Sequence, residues 1–545
     1  MKERIKKRYT ISIGRVVYYT APVILVMLFE ILGLLNYNMA DDYIMNTISA
    51  GFNTGNPNEH IVFINGIYGV VVKCMYRFIP EINWFGVGYI ITMLLCIYCL
   101  MMVISKKKDG YIPLIVVVII ETISLLWMTF TVIAYLCVVT GVIILADVDF
   151  DCKQNNRYKI KMAIALLVEF LGITFRADAF LSGIIVCVPL LVWFINKKNA
   201  KKYLFFFMML VLLFVLSKAT DNVINDSRTM KEYKSYNTAR SNVLDFPMKG
   251  NKEINGISET DYKLLEKWVL SDKEVFSESL FKDISKQMNI TEKYNFNFIN
   301  IVIQMLKLKE CWFFLCIIII LLIQNKNSYK YYVVQAIVTY GIVAATFFRN
   351  RPAHRVIVPL FVIGTTCELY YYFKKETNVN RVNKTALRVL IVILPLIALY
   401  FKMEYGIYKE NTDINRRYAE VKEFVQNDKG TLYLTSELGN LLYHNSIVDT
   451  KTDYVYDNII GLGDWSIYND VYYSVVRKYN LTDNDRLIID LVCDSNIKCI
   501  LKESDDIVEL LKKHIEEQTG KNVEYKITKR FNKSGTAIYE YSLKR

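Results

Sequence analysis

Apolar residues in this chain gather in runs of about 17–22, long enough to cross a hydrocarbon layer about 30 Å thick as helices. Eleven runs are expected to do so, near 14–36, 83–105, 111–127, 129–146, 160–175, 179–195, 203–219, 310–323, 331–347, 356–373 and 385–402. The first reads as a signal anchor, because the stretch from Val17 to Leu35 is too long for a cleaved leader and no small-x-small site follows it. A further apolar run, 61–79, is interrupted by Lys73 and Arg77. It is expected to lie as an amphipathic helix along the outer interface.

Charge sets the orientation. Lys2, Arg4, Lys6, Lys7 and Arg8 precede the first span, and every second loop after it is basic. These loops carry Lys106, Lys107 and Lys108, then Lys153, Arg157, Lys159 and Lys161, then Lys197, Lys198, Lys201 and Lys202. Lys326 and Lys330 follow, and finally Lys374, Lys375, Arg381, Lys384 and Arg388. Basic loops stay cytoplasmic. The N-terminus is therefore expected inside the cell membrane, and an odd number of spans places the region after 402 outside. Loops facing anionic headgroups account for most of the net charge of +13, so no nucleic-acid partner is required. The apolar share of 53% exceeds that of an ordinary globular chain, near ~45–50%. Of the eleven cysteines only Cys96 and Cys99 form a CxxC, inside an apolar span, and none has a zinc spacing, which argues against a disulfide framework or structural metal. Cys493 and Cys499, both external, are expected either to pair or to stay free.

Four external pieces remain. The loop 37–82 opens with Asn38-Met39-Ala40-Asp41-Asp42-Tyr43 and continues through the turn-rich stretch from Gly51 to His60. The loop 220–309 predicts a helix from Ser258-Glu259-Thr260-Asp261, a capping-box-like start, to Leu270, and a second from Ser277 to Met288. A short loop reads Phe347-Phe348-Arg349-Asn350-Arg351-Pro352-Ala353-His354-Arg355. Residues 403–545 mix strand-like runs (431–435, 498–502, 523–528, 536–542) with an amphipathic helix near 507–517. The expected fold is thus an α-helical polytopic membrane unit over 1–402 and a small α/β or α+β extracytoplasmic domain over 403–545. Gly461-Leu462-Gly463-Asp464-Trp465 reads as a plain turn, with no clear strand before it and no Lys-Ser/Thr after it.

The chemistry-bearing residues sit outside the membrane. Asp41 and Asp42 are adjacent carboxylates at the outer end of a membrane helix, where desolvation tunes a base. The plainer account is that they solvate the helix end. Arg349, Arg351 and Arg355, with His354, oppose the charge bias of an external loop. Either a lipid phosphate compensates them, through the planar donor fork of arginine, or neighbouring acids and snorkelling do. Arg176 and Asp178, in the turn between the fifth and sixth spans, pair with each other or join the same polar cavity. Tyr233, Tyr236, Asn237, Arg240 and Asp245 form a polar-aromatic mix suited to a sugar, against a background in which tyrosine mostly packs. His60 stands alone as a weak candidate ligand or base. Trp84, Trp127 and Trp312 read as interface anchors. Asp147, Asp149 and Asp151 lack the glycine and terminal glutamate of a calcium loop.

This pattern resembles the GT-C superfamily of integral-membrane glycosyltransferases, which use polyprenyl-phosphate-linked sugars. The resemblance rests on one span leading to an external Asp41-Asp42-Tyr43, interfacial helices from Asn58-Glu59-His60 to Pro80 and Trp84, and later external arginines. Asn56-Pro57 and a later His60 stand where members often carry His-x-Pro or Pro-Pro. The resemblance implies inverting transfer of a sugar to an acceptor hydroxyl on the outer face, with Asp41 or Asp42 as base. Arg349, Arg351, His354, Arg355 and Arg176 would hold the donor phosphate, and Tyr43, His60, Asp178, Tyr236 and Arg240 would contact substrate. The polyprenyl-phosphate sugar is the donor and the acceptor an unknown glycan, lipid or protein. No cofactor is called for, and nothing in the sequence supports a divalent cation. A transporter or flippase of lipid-linked glycans, or a glycan polymerase or ligase, remains the alternative. A transporter would favour internal repeats and midplane polar residues, and neither is evident.

Overall fold

The computed structural model describes residues 19–52, 54–105, 112–148, 157–197, 199–246, 257–288, 290–376, 378–442, 446–448 and 457–544. The expected cytoplasmic charges Lys2 to Arg8, Lys106 to Lys108, Lys153 and Lys198, and the acids Asp149 and Asp151, lie outside these residues.

In chain order the membrane unit contains α1 (Tyr19–Ile31), α2 (Ala40–Ala50), α3 (Gly66–Phe78), α4 (Trp84–Ser105), α5 (Ile112–Leu126), α6 (Phe130–Ala146), α7 (Arg157–Phe175), α8 (Ala177–Phe194) and α9 (Ala200–Ile224). Then come α10 (Arg228–Leu244), α11 (Glu259–Glu266), α12 (Glu278–Gln287), α13 (Ile290–Lys293), α14 (Phe298–Leu306), α15 (Lys309–Gln324), α16 (Tyr329–Phe348), α17 (His354–Lys375) and α18 (Val379–Asn427). Each expected span falls on one of these helices. Six helices of the described residues are long and apolar enough to cross a membrane by themselves.

Burial explains why these helices need no amphipathic pattern. α6 is buried over all its seventeen residues and forms the hub against which α4, α7, α8 and α17 pack. α9 instead leaves Leu204, Phe205, Met208, Val211 and Val215 more than half exposed. An apolar helix with an apolar outer face is stable only in lipid. α3, at 13 residues, is about 20 Å long and too short to span. It exposes Val70, Val71 and Phe78 while Lys73 pairs with Glu59, as an interfacial helix should.

α18 is 49 residues, or about 74 Å, and passes unbroken through the position near 403 where a boundary was expected. It delivers the chain to a five-stranded sheet of β1 (Leu432–Thr435), β2 (Ile459–Gly461), β3 (Ile497–Lys502), β4 (Val523–Phe531) and β5 (Thr536–Leu543), in the order β2-β1-β3-β5-β4. β1 pairs in parallel with β2 and β3, and β5 pairs antiparallel with β3 and β4. Short helices α19 (Leu438–Leu442), α20 (Asp470–Val476), α21 (Leu487–Cys493) and α22 (Ile507–Thr519) complete this part. Cys493 and Cys499 are free.

The two helices expected in 220–309 form as α11 and α12, capped by the hydroxyls of Ser258 and Ser277. With α10 they share one core with the sheet, in which Tyr236, Leu264, Leu270 and Phe281 join Leu432, Leu434, Leu501 and Leu511. A buried polar clamp locks the junction. His514 of α22, fully buried, contacts Asp261 through Nδ1 (2.5 Å) and Asp272 through Nε2 (3.1 Å), and Asp272 also accepts two bonds from Arg486. Burial pushes the His514 pKa down, but the two carboxylates outweigh it and raise it above the ordinary value. A raised pKa gives stability that is complete below the unfolded value, ~6.5, and fades as pH climbs through the folded one. His514→Gln is therefore expected to destabilise this unit by about 3 kcal/mol near pH 6 and by less in alkali, read as a pH series of thermal unfolding.

Candidate active site

Two adjacent acids in the first turn of α2 meet very different surroundings. Each step along a helix rotates the side chain by about 100°, so Asp41 and Asp42 point apart. Asp42 is fully buried, and its Oδ1 accepts hydrogen bonds from Tyr89 Oη (2.7 Å) and from the backbone N–H of Phe130 (3.1 Å) at the start of α6. Its Oδ2 has no hydrogen-bond partner among the described residues. Burial pushes the Asp42 pKa up to about 7. The acid is a packed strut between α2, α4 and α6, and it does not line the cavity described next.

Asp41 does. Its Oδ2 receives Arg355 Nη1 (2.8 Å) and its Oδ1 receives Trp465 Nε1 (2.9 Å), joining α2 to the first turn of α17 and to the loop after β2. These residues stand on the wall of a cavity of about 590 Å3 between the membrane helices and the sheet-bearing part. Asp41, Tyr43, Phe130, Arg176, Asp178 and Arg355 form its floor, and Asn237, Arg240, Asp245, Trp268, Asp464 and Trp465 its roof. Arg351 stands at the side, held by Asp245 (2.5 Å).

Electrostatics favour an anion at the floor. Arg176, at the N-cap of α8, donates to Thr131 Oγ1 (2.6 Å) and lies 5.0 Å over the Phe130 ring. It makes no ion pair among the described residues, Asp178 included. Burial, and then the neighbouring charge of Arg355, pull its pKa below the ordinary guanidinium value. Two guanidinium groups thus press on each other beside the carboxylates of Asp41 and Asp178. On the roof, desolvation pushes the Asp464 carboxyl above the usual range, with Asp41 adding to the effect.

The remaining residues singled out in the sequence lie elsewhere. Arg349 is exposed in the turn after α16, and His354, one residue before Arg355, is rotated away to stack 6.3 Å from Trp127. His60 bonds Asn225 (2.9 Å) and faces Asp470 (3.9 Å), a packing role beside α9. Tyr236 is buried in the core of the external part, edge-on to Phe281 and Tyr468. Trp127 is buried too, against Tyr400, and does not sit at a lipid interface as an anchor would. Among the wall residues that escaped the sequence reading are Trp268, Asp464 and Trp465. The last two belong to the turn 461–465, which a strand, β2, does precede. Its one visible signal is Gly463, where a Cβ would stand 2.1 Å from the Trp268 carbonyl oxygen. No group of three or more His, Cys, Asp or Glu side chains among the described residues is placed to hold a metal ion.

The Asp42 environment makes a pH prediction. Its raised pKa contributes stability that is complete below about 4 and is lost as pH rises through about 7. The melting temperature of the wild type is expected to fall between about pH 4 and about pH 7. Asp42→Asn, which keeps the Oδ1 acceptor, should flatten that slope and melt higher than wild type above pH 7. An unchanged slope in the variant would contradict this assignment.

No protein-family model and no curated protein matches the chain. Two solved structures do. ArnT from Cupriavidus metallidurans bound to undecaprenyl phosphate matches over 96% of this chain and 98% of its own, at 10% identity and a TM-score of 0.41. ArnT in the apo state matches over 97% and 98%, at 11% identity and a TM-score of 0.39.

Proposed function

We propose that the protein is a membrane glycosyltransferase of the hexosyl- or pentosyl-transferring class, moving a sugar from a polyprenyl-phosphate carrier to an acceptor hydroxyl at the outer face of the cell membrane. The observation that carries this reading is the floor of the cavity, where Asp41 is paired with Arg355 and Arg176 stands beside them without a carboxylate of its own. A base next to two guanidinium groups, at the mouth of a helical membrane bundle, suits a hydroxyl acceptor and an anionic leaving group.

In this reading all eleven apolar helices cross the membrane, with the N-terminus cytoplasmic. Residues 1–402 form the membrane unit and 403–545 the external domain, whose core 220–309 completes. The donor phosphate enters beside Arg176 and Arg355 and competes with Asp41 for the Arg355 guanidinium. Asp41 Oδ2, released from that pair, takes the proton of the acceptor hydroxyl. The acceptor oxygen forms a bond to the anomeric carbon as the bond to the phosphate oxygen breaks, and the polyprenyl phosphate departs with the electron pair, its negative charge held by the two arginines. Attack from the face opposite the leaving group inverts the anomeric configuration. Trp465, donating to Asp41 Oδ1, keeps the carboxylate aimed at the cavity.

The test uses purified protein in nanodiscs and a panel of radiolabelled polyprenyl-phosphate sugars. Release of free polyprenyl phosphate from one donor, with label passing to an acceptor-containing extract, is the expected result. Absence of both donor binding and turnover across the panel would overturn the reading.

A further inference from the structure

Arg240 presents a buried guanidinium whose donors the described residues do not all satisfy. The residue is only 3% exposed, on the inner side of α10. Its Nε and Nη2 both donate to Asn237 Oδ1 (3.1 and 2.7 Å), while Nη1 has no hydrogen-bond partner among the described residues. Unlike Arg351 and Arg355 it makes no ion pair within 4 Å among those residues. Asp464 lies near enough to feel this charge but makes no ion pair with it, and a buried donor left unfilled is costly, so such groups persist where a ligand fills them. Arg240 borders the cavity, and with one edge of its fork fixed on Asn237 the Nη1 end is the part left to an incoming anion.

Its neighbours are built for a ring-shaped ligand. The guanidinium lies 5.0 Å over the Trp268 ring, which also borders the cavity. Trp268 holds a positive φ of 57°, costly for a bulky residue. Its surroundings over-determine that conformation. The N–H of Leu270 bonds the Leu462 carbonyl (2.9 Å), Tyr468 Oη bonds the Leu270 carbonyl (2.7 Å), and the Gly463 backbone presses against the Trp268 carbonyl. These residues come from α10, the stretch after α11 and the loop after β2, and none from the helices that carry Arg176 and Arg355.

We infer that the acceptor is an anionic sugar or polyol, whose phosphate or carboxylate is held by Arg240 and whose ring or chain packs against Trp268. This rests on the sugar-transfer reading above and names the acceptor class for it. The cavity then takes two anions at opposite walls, the lipid phosphate at the floor and the acceptor's charge at the roof. The separation keeps the two substrates in fixed order around Asp41, with binding energy from the acceptor's charge spent on orientation.

The experiment uses the full chain in phosphatidylcholine nanodiscs and titrates glucose 6-phosphate, glucuronate and glucose, reading tryptophan fluorescence. Undecaprenyl phosphate and undecaprenyl diphosphate are titrated in separate arms. Wild type is expected to bind the two charged sugars at least tenfold more tightly than glucose. Arg240→Gln is expected to erase that preference while changing undecaprenyl phosphate affinity less than twofold. Arg240→Lys, which keeps the charge without the fork, should retain a weakened preference and serves as the comparison should the glutamine variant not fold. Equal binding of charged and neutral sugars would overturn the inference, as would a preference lost in Arg355→Gln but kept in Arg240→Gln. A loss in Arg240→Gln confined to undecaprenyl diphosphate would also overturn it, because the anion would then belong to the donor. Failure of wild type to bind undecaprenyl phosphate strikes the sugar-transfer reading separately and is visible in its own arm.

Discussion

Asp41→Asn is expected to slow sugar transfer by two to four orders of magnitude, the range a positioned general base supplies, with donor binding retained. The asparagine fills the same space and still accepts from Trp465, but it cannot take a proton and no longer pairs ionically with Arg355. The loss should therefore fall in kcat, with little change in the apparent affinity for donor or even a gain, since Arg355 is freed for phosphate. Asp42→Asn offers the contrast. That carboxylate is sealed behind Tyr89 and the start of α6, so its replacement should leave transfer within a few-fold of wild type at neutral pH while changing the pH profile of stability. A pair of variants one residue apart thus separates chemistry from architecture.

Arg355→Gln is expected to lower kcat/KM by about 10²–10³, comparable to removing one preorganised donor from a developing anion. Two effects combine in it: the leaving phosphate loses a charge-assisted contact, and Asp41 loses its partner. Because both single substitutions break the same pair, Asp41→Asn with Arg355→Gln should fall short of the summed losses. Steady-state rates over a donor series check this, with kcat and KM separated. Arg176 shares the floor without an ion pair, so Arg176→Gln should weaken donor binding more than it slows the chemical step.

Much of this architecture could be read from the chain because the signals are local. An apolar run long enough for a bilayer declares itself, and α4, α8, α9 and α16 to α18 do so without ambiguity. Ser258 and Ser277 announced α11 and α12 through capping, and the strand-like runs of β1 and β3 to β5 formed where alternation and β-branched residues predicted. β2 went unseen because three residues, Ile459 to Gly461, carry no pattern and gain their order from β1.

The site was legible in part, for the same reason. Nine singled-out residues (Asp41, Tyr43, Arg176, Asp178, Asn237, Arg240, Asp245, Arg351 and Arg355) come from four separate stretches, and folding gathers them around one cavity. Sequence could not choose between Asp41 and Asp42, or between His354 and Arg355, because neighbours on a helix differ only in direction. Tyr89, Phe130 and Trp127, all distant in the chain, decide it. Trp465 lies 424 residues from the carboxylate it contacts, and nothing near it in sequence marks the meeting.

The most direct measurement is transfer of label from a polyprenyl-phosphate sugar by wild type and Asp41→Asn, side by side in nanodiscs at equal donor occupancy. The account predicts turnover by wild type, a product of inverted anomeric configuration, and at least a hundredfold loss in the variant with donor still bound. Full transfer by Asp41→Asn, or a product that retains the donor's configuration, would contradict it.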